Sequence, residues 1–282
     1  MPGFPIIDSH VHLYDPTRLR HSWLDAVPAI NRAHLPADFD RACGSVAVDK
    51  LVFVEVAADP GLHLAEAAFV QGLADADPRI AAIVAHAPVE KGDAVEHDLA
   101  ALARFPALRG IRRLIQGEPD PGMCLEPGFL AGVRRVGRHG LSFDICVRHW
   151  GLGCAVELVR RCPEVMFVLD HIGKPDIRHA LREPWWSDIG RLAELPNVVV
   201  KLSGVITEAA PGCSDADLAP YIAHVIDRFG FSRVMYGSDW SVSELTHCYA
   251  DWVAMLDRLL AGTSEAERRS LYHDTATRIY RL

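Results

Sequence analysis

Short apolar runs alternate with longer amphipathic stretches along nearly the whole chain. Each run is apolar throughout instead of alternating with polar residues, a pattern typical of parallel strands that are covered on both faces. The run lengths suit strands, and each run ends in a polar or turn-forming segment. Eight such runs span residues 6–12, 50–56, 79–85, 108–115, 141–147, 165–169, 197–202 and 233–236.

The segments between the runs place apolar residues three to four positions apart, as amphipathic helices do. Clear examples are 61–76, 127–139, 151–162, 216–229 and 245–260. Strand alternating with helix eight times predicts an α/β fold, a (β/α)8 TIM barrel, as one domain over residues 1–282. A doubly wound open sheet is the alternative, but no G-x-G-x-x-G motif follows any of the early strands.

The longest insertion follows the first predicted strand, at residues 14–36. It contains Arg18, His21 and Trp23. In a barrel a loop at this position lies over the carboxyl ends of the strands, where such loops often carry function. We therefore expect it to cover the site, either as plain packing or in contact with a ligand.

Composition narrows the function classes. Half of the 282 residues are hydrophobic and 23% are charged, which is ordinary for a globular protein. The net charge of −8 argues against nucleic-acid binding by bulk electrostatics. No apolar run approaches the roughly 20 residues that span a bilayer. The seven cysteines form no C-x-x-C pair, so neither a disulfide framework nor a zinc knuckle is expected, and a reducing cytoplasm is the predicted location.

The most informative local pattern is His10-Val11-His12 at the end of the first predicted strand. Alternate residues of a strand project from one face, so both imidazoles point toward one place. In parallel α/β folds ligands bind outside the carboxyl ends of the strands. The pair is therefore predicted to hold a metal ion or to polarise a substrate.

Two more strand ends carry ionisable residues. Asp170 and His171 close the sixth predicted strand, and Asp239 closes the eighth. The first, sixth and eighth strands of a barrel deliver their ends to one cavity, so His10, His12, His171 and Asp239 should converge there. Three imidazoles and a carboxylate suit Zn²⁺ or Mn²⁺, and they equally suit acid–base catalysis without a metal.

Taken together, three runs resemble the amidohydrolase superfamily, and specifically its sugar-lactone hydrolase branch of L-fuconolactonases and L-rhamnonolactonases. They are Leu169-Asp170-His171-Ile172-Gly173-Lys174-Pro175, then Lys201-Leu202-Ser203-Gly204 with Thr207-Glu208-Ala209, and Gly237-Ser238-Asp239-Trp240. The resemblance extends from the Asp-x-His-x-His start almost to the end of the chain. It implies a TIM-barrel hydrolase that opens L-fucono-lactone or a similar aldonolactone.

The resemblance also implies roles for individual residues. Asp239 would activate water and His171 would help to polarise the lactone carbonyl. Arg112 and Arg113 end the fourth strand, and the guanidinium fork of whichever points inward suits substrate hydroxyls. The resemblance favours Arg112 as the inward one, with Arg113 paired to a helix carboxylate. Trp240 and the His10–His12 pair would also contact the substrate. Because the bridging lysine or glutamate of two-metal relatives is not apparent, at most one divalent ion is expected, on His10, His12, His171 and Asp239.

Four further residues keep two interpretations each. Glu55 would be costly to bury unless it is paired or bound to a metal, and Lys201 either faces the barrel interior or forms a buried structural pair with an acid. His86 ends the third strand without a defined role. His149 resembles a metal ligand of related decarboxylases, or else it is a loop histidine packed on Trp150.

Three functions follow. Lactone hydrolysis comes first, and a metal-dependent decarboxylase, with His149 as a further ligand, is the alternative. A sugar-acid binding protein is the third, although the chain shows no second lobe. The expected partner is a small sugar lactone, with no nucleic acid and no membrane, and the oligomeric state is open.

Overall fold

In the computed structural model, which describes residues 2–282, all eight strands belong to one parallel sheet. Neighbours in the sheet follow chain order from the first strand to the eighth. The strands are β1 Ile6–Val11, β2 Val48–Val54, β3 Ile80–His86, β4 Leu108–Arg112, β5 Ser142–Ile145, β6 Phe167–Leu169, β7 Val198–Leu202 and β8 Val234–Tyr236.

The sheet closes on itself between β1 and the segment after β8. A parallel bridge joins Val11 to Trp240, and the His12 backbone N–H donates to the Trp240 carbonyl at 2.6 Å. The Asp239 N–H donates to the His10 carbonyl at 3.0 Å. The predicted (β/α)8 barrel is therefore confirmed, and closure aligns the two strand ends that carry the predicted site.

Within residues 2–282 ten helices surround or cap this barrel. They are α1 Pro36–Cys43, α2 His63–Ala76, α3 Glu96–Leu102, α4 Pro127–Arg138, α5 Leu152–Arg161, α6 Trp185–Ala193, α7 Asp215–Phe229, α8 Tyr249–Leu259, α9 Glu265–Arg269 and α10 Thr275–Tyr280. The helix predicted over 245–260 begins later, at Tyr249, because a separate 3₁₀ turn occupies Val242–Leu245.

The described helices include none that is both long and apolar enough to cross a bilayer. All seven cysteines are free thiols, and four of them are buried: Cys43, Cys124, Cys146 and Cys162.

Apolar side chains from the strands fill the inside of the barrel. Val52 and Val54 of β2 and Ala82 and Val84 of β3 belong to this interior cluster, together with residues of α10. α10 packs against β1 and β8 and closes the amino-terminal end of the barrel. Apolar packing thus fills the barrel at the amino-terminal ends of the strands, and the polar site lies at their carboxyl ends.

Candidate active site

Three strand ends bring three imidazoles to one carboxylate at the carboxyl end of the barrel. The Asp239 Oδ1 atom lies 3.4 Å from His12 Nε2 and 3.7 Å from His10 Nε2. His171 Nε2 is 3.9 Å from the same oxygen. All four residues are buried. The structure thus brings together the set that strand alternation predicted.

His10 at the end of β1 and His12 just after it are held through their Nδ1 atoms. His12 Nδ1 contacts the Val54 carbonyl at 2.9 Å, and His10 Nδ1 lies 3.3 Å from Asp170 Oδ1. The Val54 carbonyl accepts from Nδ1 of His12 and so leaves its Nε2 as a ligand or hydrogen-bond acceptor, whereas Nδ1 of His10 also lies 3.4 Å from the Lys201 ammonium. Both Nε2 atoms face Asp239.

Asp8, which the sequence analysis left out of the site, joins the two strand ends. Its Oδ1 accepts the backbone N–H of His10 at 3.1 Å and that of Ser238 at 2.9 Å. Gly237 permits the close approach, because a Cβ there would come within 2.9 Å of His10 Cβ. Burial raises the Asp8 pKa to about 6, against the hydrogen bonds from Ser238, which lower it. Asp8 thus aligns the backbone of His10 with the segment that carries Asp239.

Asp239 remains an ionised carboxylate despite its burial. Burial alone would raise its pKa, but the nearby rings of His171, His12 and His10 hold that pKa well below its usual range. Burial lowers the pKa of His171 to about 4, although Asp239 opposes the shift, so this imidazole is neutral near pH 7. A charged carboxylate beside a neutral imidazole is a suitable pairing of base and hydrogen-bond partner.

His171 lies in a left-handed turn between β6 and α6. The backbone φ is 53° at His171, 47° at Ile172, 73° at Gly173 and 47° at Lys174. Positive φ at a non-glycine residue costs free energy, and such residues cluster at functional sites. Such a turn has no recognised local sequence signature, so the predicted strand end did not reveal it.

Two residues of the segment after β7 hold the His171 ring in place. Its Nδ1 contacts the Ser203 hydroxyl at 2.9 Å. Gly204 lies against the ring, and a Cβ at this position would come within 2.7 Å of Nδ1. The Lys201-Leu202-Ser203-Gly204 run therefore supports His171 directly.

Five charged residues beneath these groups form a buried ion-pair layer: Glu55, Arg112, Asp144, Asp170 and Lys201. Arg112 Nε donates to Glu55 at 2.7 Å and its Nη1 to Asp170 at 3.1 Å. Lys201 Nζ donates to Asp144 at 2.6 Å and lies 3.1 Å from Asp170. Tyr280 of α10 adds a hydroxyl donor to Asp144 at 3.1 Å.

This layer answers two of the questions that the sequence left open. Glu55 and Lys201 are paired, which confirms the interpretation that their burial requires partners. Arg112 points into the barrel, but Glu55 and Asp170 already engage its guanidinium fork. Burial lowers the Arg112 pKa, and the two carboxylates more than restore it. The structure thus gives Arg112 a pairing role, and its binding of substrate hydroxyls stays a prediction.

A cavity of about 300 Å³ opens beside the Asp239 carboxylate. It is lined by His12, Trp23, Val56, Ala57, Arg112, Leu114, Gln116, Cys146, His171, Lys174, Asp239 and Val242. Trp23 comes from the long loop after β1, which covers the strand ends as expected, and its Nε1 donates to the Val56 carbonyl at 2.8 Å. Lys174 and Gln116 were not predicted as site residues.

Trp240 lies outside this lining. Its indole is fully buried, packs edge-on against Phe39 and His34, and donates from Nε1 to Glu244 at 2.8 Å. The ring is enclosed by protein and does not line this cavity, so contact between Trp240 and the substrate stays a prediction. Its contribution here is packing.

His86 and His149 are also absent from the cavity lining. His149 packs edge-on against Trp150 and contacts the Lys174 carbonyl through Nδ1 at 3.2 Å, which matches the loop-histidine interpretation. His86 lies beside His63 in a separate cavity, and burial lowers its pKa.

The donor set fits a single divalent ion. His10, His12 and Asp239 each offer a ligand atom within 4.8 Å of the others. Ligands of a tetrahedral zinc site stand about 3.3 Å apart, given bonds of about 2.0–2.1 Å, and the Asp239–His12 separation of 3.4 Å is close to that. Asp170 behind His10 is the kind of outer carboxylate that orients metal-binding histidines. His10 Nε2 also faces Arg112 Nη1 at 3.4 Å, so without a metal the guanidinium is its cationic neighbour.

A TIM barrel with histidines and a carboxylate converging at the carboxyl ends of its strands is the arrangement of an enzyme active site, and sequence comparison specifies the family. An amidohydrolase family model matches residues 7–282, so the chain belongs to the amidohydrolase family.

Two curated relatives are L-fucono-1,5-lactonases. The one from Burkholderia ambifaria is 31% identical over 98% of this chain and 95% of its own length. The one from Burkholderia multivorans is 30% identical over 98% and 96%. A crystal structure of an amidohydrolase from Burkholderia multivorans with bound zinc is 29% identical, covers 99% of this chain and 100% of its own, and superimposes with a TM-score of 0.88.

Proposed function

We propose that this protein hydrolyses a sugar-acid lactone to the free acid, with L-fucono-1,5-lactone as the lead substrate. The observation that carries the proposal is the ionised Asp239 carboxylate, which borders the cavity beside the neutral His171 imidazole. The two Burkholderia lactonases support the choice of lactone, since each covers nearly the whole chain.

Opening a lactone requires an activated water and a partner for the oxyanion. Asp239 accepts a proton from water as the water oxygen bonds to the carbonyl carbon, which yields a tetrahedral oxyanion. When that intermediate collapses, the bond to the ring oxygen breaks, and the proton on Asp239 passes to the leaving alkoxide. The products are the sugar acid and the regenerated carboxylate.

His171 is placed to stabilise the oxyanion. If the Ser203 hydroxyl donates to Nδ1 across their 2.9 Å contact, the ring proton lies on Nε2, the atom that faces Asp239. That Nε2–H can donate to the carbonyl oxygen as negative charge develops there. A divalent ion held by His10, His12 and Asp239 would supply additional positive charge against the same oxyanion.

The alternative decarboxylase is not favoured by any contact in the site. It called for His149 as a further ligand, and His149 instead packs on Trp150 outside the cavity lining.

A lactone panel tests the proposal. The purified enzyme is assayed by proton release with L-fucono-1,5-lactone, other aldonolactones and δ-valerolactone, and by carbon dioxide release with aromatic acids. We expect proton release with an aldonolactone and at least a ~100-fold slower release after Asp239→Asn. Carbon dioxide release, or tight binding without turnover, would replace the proposal with the second or third function.

A further inference from the structure

Lys174 reaches the cavity through the same left-handed turn that positions His171. The turn has four residues with positive φ, and three of them are not glycine. Each of these three costs about 1–3 kcal/mol of conformational free energy. The Lys174 N–H donates to the His171 carbonyl at 2.9 Å, which closes the turn. The side chains at both ends of the turn, His171 and Lys174, line the cavity beside Asp239.

The Lys174 ammonium has donors to spare. Its Nζ donates to Glu208 Oε1 at 2.8 Å, and an ammonium has three N–H groups. Arg112, the cation that the sequence suggested for this purpose, is engaged by Glu55 and Asp170. Of these two cations in the cavity wall, Lys174 is the one better able to meet a ligand.

Glu208 is the acceptor that stands next to this ammonium. Its side chain is 15% exposed, and its other oxygen lies 3.8 Å from Arg148 Nη1. The Glu208 carbonyl accepts the Arg178 N–H at 3.1 Å, which anchors the loop after β7. Burial lowers the pKa of Lys174, but Cys146, Glu208 and Asp239 together raise it above its usual value, so Lys174 is a charged donor.

We propose that the Lys174 ammonium forms a subsite that recognises hydroxyl groups on the ring of the lactone, held in place by Glu208, which lines a neighbouring cavity with Arg148 and His149. Glu208 accepts from the ammonium, which has three N–H groups, and the remaining ones can donate to hydroxyl oxygens of the ring. Trp23 lines the same cavity with its N–H already bonded to Val56, so only its ring is available to the sugar. The inference rests on the proposed lactonase function and specifies its selectivity.

The test compares two six-membered lactones, L-fucono-1,5-lactone and the hydroxyl-free δ-valerolactone. In Lys174→Met and Glu208→Gln the ratio of kcat/KM values, hydroxylated over unsubstituted, should fall about 10- to 100-fold, since a site that bonds a hydroxyl loses that preference when its partner is removed. Lys174→Arg should restore part of the ratio. Lys91→Met, which removes an ammonium paired with Asp98 outside the cavity lining, should leave the ratio unchanged.

Equal losses on both lactones, or an unchanged ratio in both variants, would overturn the subsite. If the wild type hydrolyses no lactone of the panel, the proposed function fails, and the subsite is then judged by binding. The dissociation constants of L-fuconate and 5-hydroxyvalerate are compared by calorimetry, because both are carboxylates and they differ in ring-derived hydroxyls. A preference for L-fuconate that Lys174→Met abolishes would keep the subsite, and no preference in the wild type would reject it.

Discussion

The buried ion-pair layer and the cavity wall above it use similar residue types in different ways. In the layer, Arg112 and Lys201 are each held between two carboxylates, and the two side chains are no more than 4% exposed. In the cavity wall, Lys174 has a single carboxylate partner and a side chain that is 12% exposed. In the layer the cations are bonded to carboxylates on two sides, whereas Lys174 in the wall has N–H groups left for a ligand.

The comparison shows that residue type and inward orientation do not by themselves identify a substrate-binding cation. Arg112 satisfies both criteria, yet its fork serves Glu55 and Asp170. The number of donors left without a protein partner separates the two regions. Each prediction below tests one side of that distinction.

The largest effect is expected at Asp239. Asp239→Asn keeps the shape of the side chain and removes the base, so kcat should fall about 10²- to 10⁴-fold. Circular dichroism and the melting temperature should stay close to those of the wild type. Asp49→Asn, at an exposed carboxylate outside the site, is the matched control. Near-normal turnover in Asp239→Asn would remove this residue from the mechanism.

Arg112→Met should mainly reduce stability. It leaves Glu55 and Asp170 as buried carboxylates without that partner, and breaking a buried pair costs about 3–5 kcal/mol of unfolding free energy. Denaturant melts measure this loss, and Arg112→Lys should recover part of it. Both variants should lower kcat/KM on hydroxylated and unsubstituted lactones alike. A selective loss on the hydroxylated lactone in an equally stable protein would return Arg112 to substrate binding.

The metal content of the protein tests the ion site of His10, His12 and Asp239, which lies between the ion-pair layer and the cavity wall. Equilibrium dialysis against Zn²⁺ followed by elemental analysis should give at most one tightly held ion per chain, and His12→Ala should weaken its retention at least about 10-fold. His179→Ala, at an exposed histidine beside Asp176, is the control. Two tightly held ions would contradict the single-ion site. Activity that survives complete chelation would leave His171 and the cavity cations as the oxyanion partners.

The smallest effect is a pH dependence that originates at His171. Its pKa is about 4 in the folded protein against a usual value of 6.5, because burial disfavours the charged ring. Between about pH 4 and 6.5 the unfolded chain binds more protons at this histidine than the folded protein does. The contribution of His171 to the free energy of unfolding is therefore complete above about pH 6.5 and is lost as the pH falls toward 4. We expect kcat/KM to be level from pH 6 to 8 as far as His171 is concerned, and to fall as the pH drops through about 4. An acid limb centred near 6.5 would show that the ring is not desolvated.

The fold followed from the sequence because strand and helix periodicity are local properties. β1 was predicted at 6–12 and lies at Ile6–Val11, and the helix predicted at 216–229 lies at Asp215–Phe229. The convergence of His10, His12, His171 and Asp239 followed in turn from barrel geometry, which places the ends of parallel strands around one cavity.

The parts of the site that the sequence did not reveal depend on distant partners or on unfavourable local backbone. The contacts of Arg112 with Glu55 and Asp170 join residues 57 and 58 positions apart, and no local pattern encodes them. Lys174 reaches the cavity only because Ile172 accepts a positive φ, against the preference of a β-branched residue. The apolar setting that encloses Trp240 likewise forms only when α1 and the long loop pack against β8.

The carboxylate of Asp8 links two pieces of chain that lie 230 positions apart, since it accepts the N–H of Ser238. Contacts of such long sequence separation carry a large loop-closure entropy and tend to form late in folding. His10 and Asp239 lie on the two pieces of chain that Asp8 joins. A folding intermediate with its helices in place but without this junction would therefore have no catalytic activity. Recovery of enzyme activity during refolding would therefore time the last step of barrel assembly, after the far-ultraviolet signal of the helices has returned.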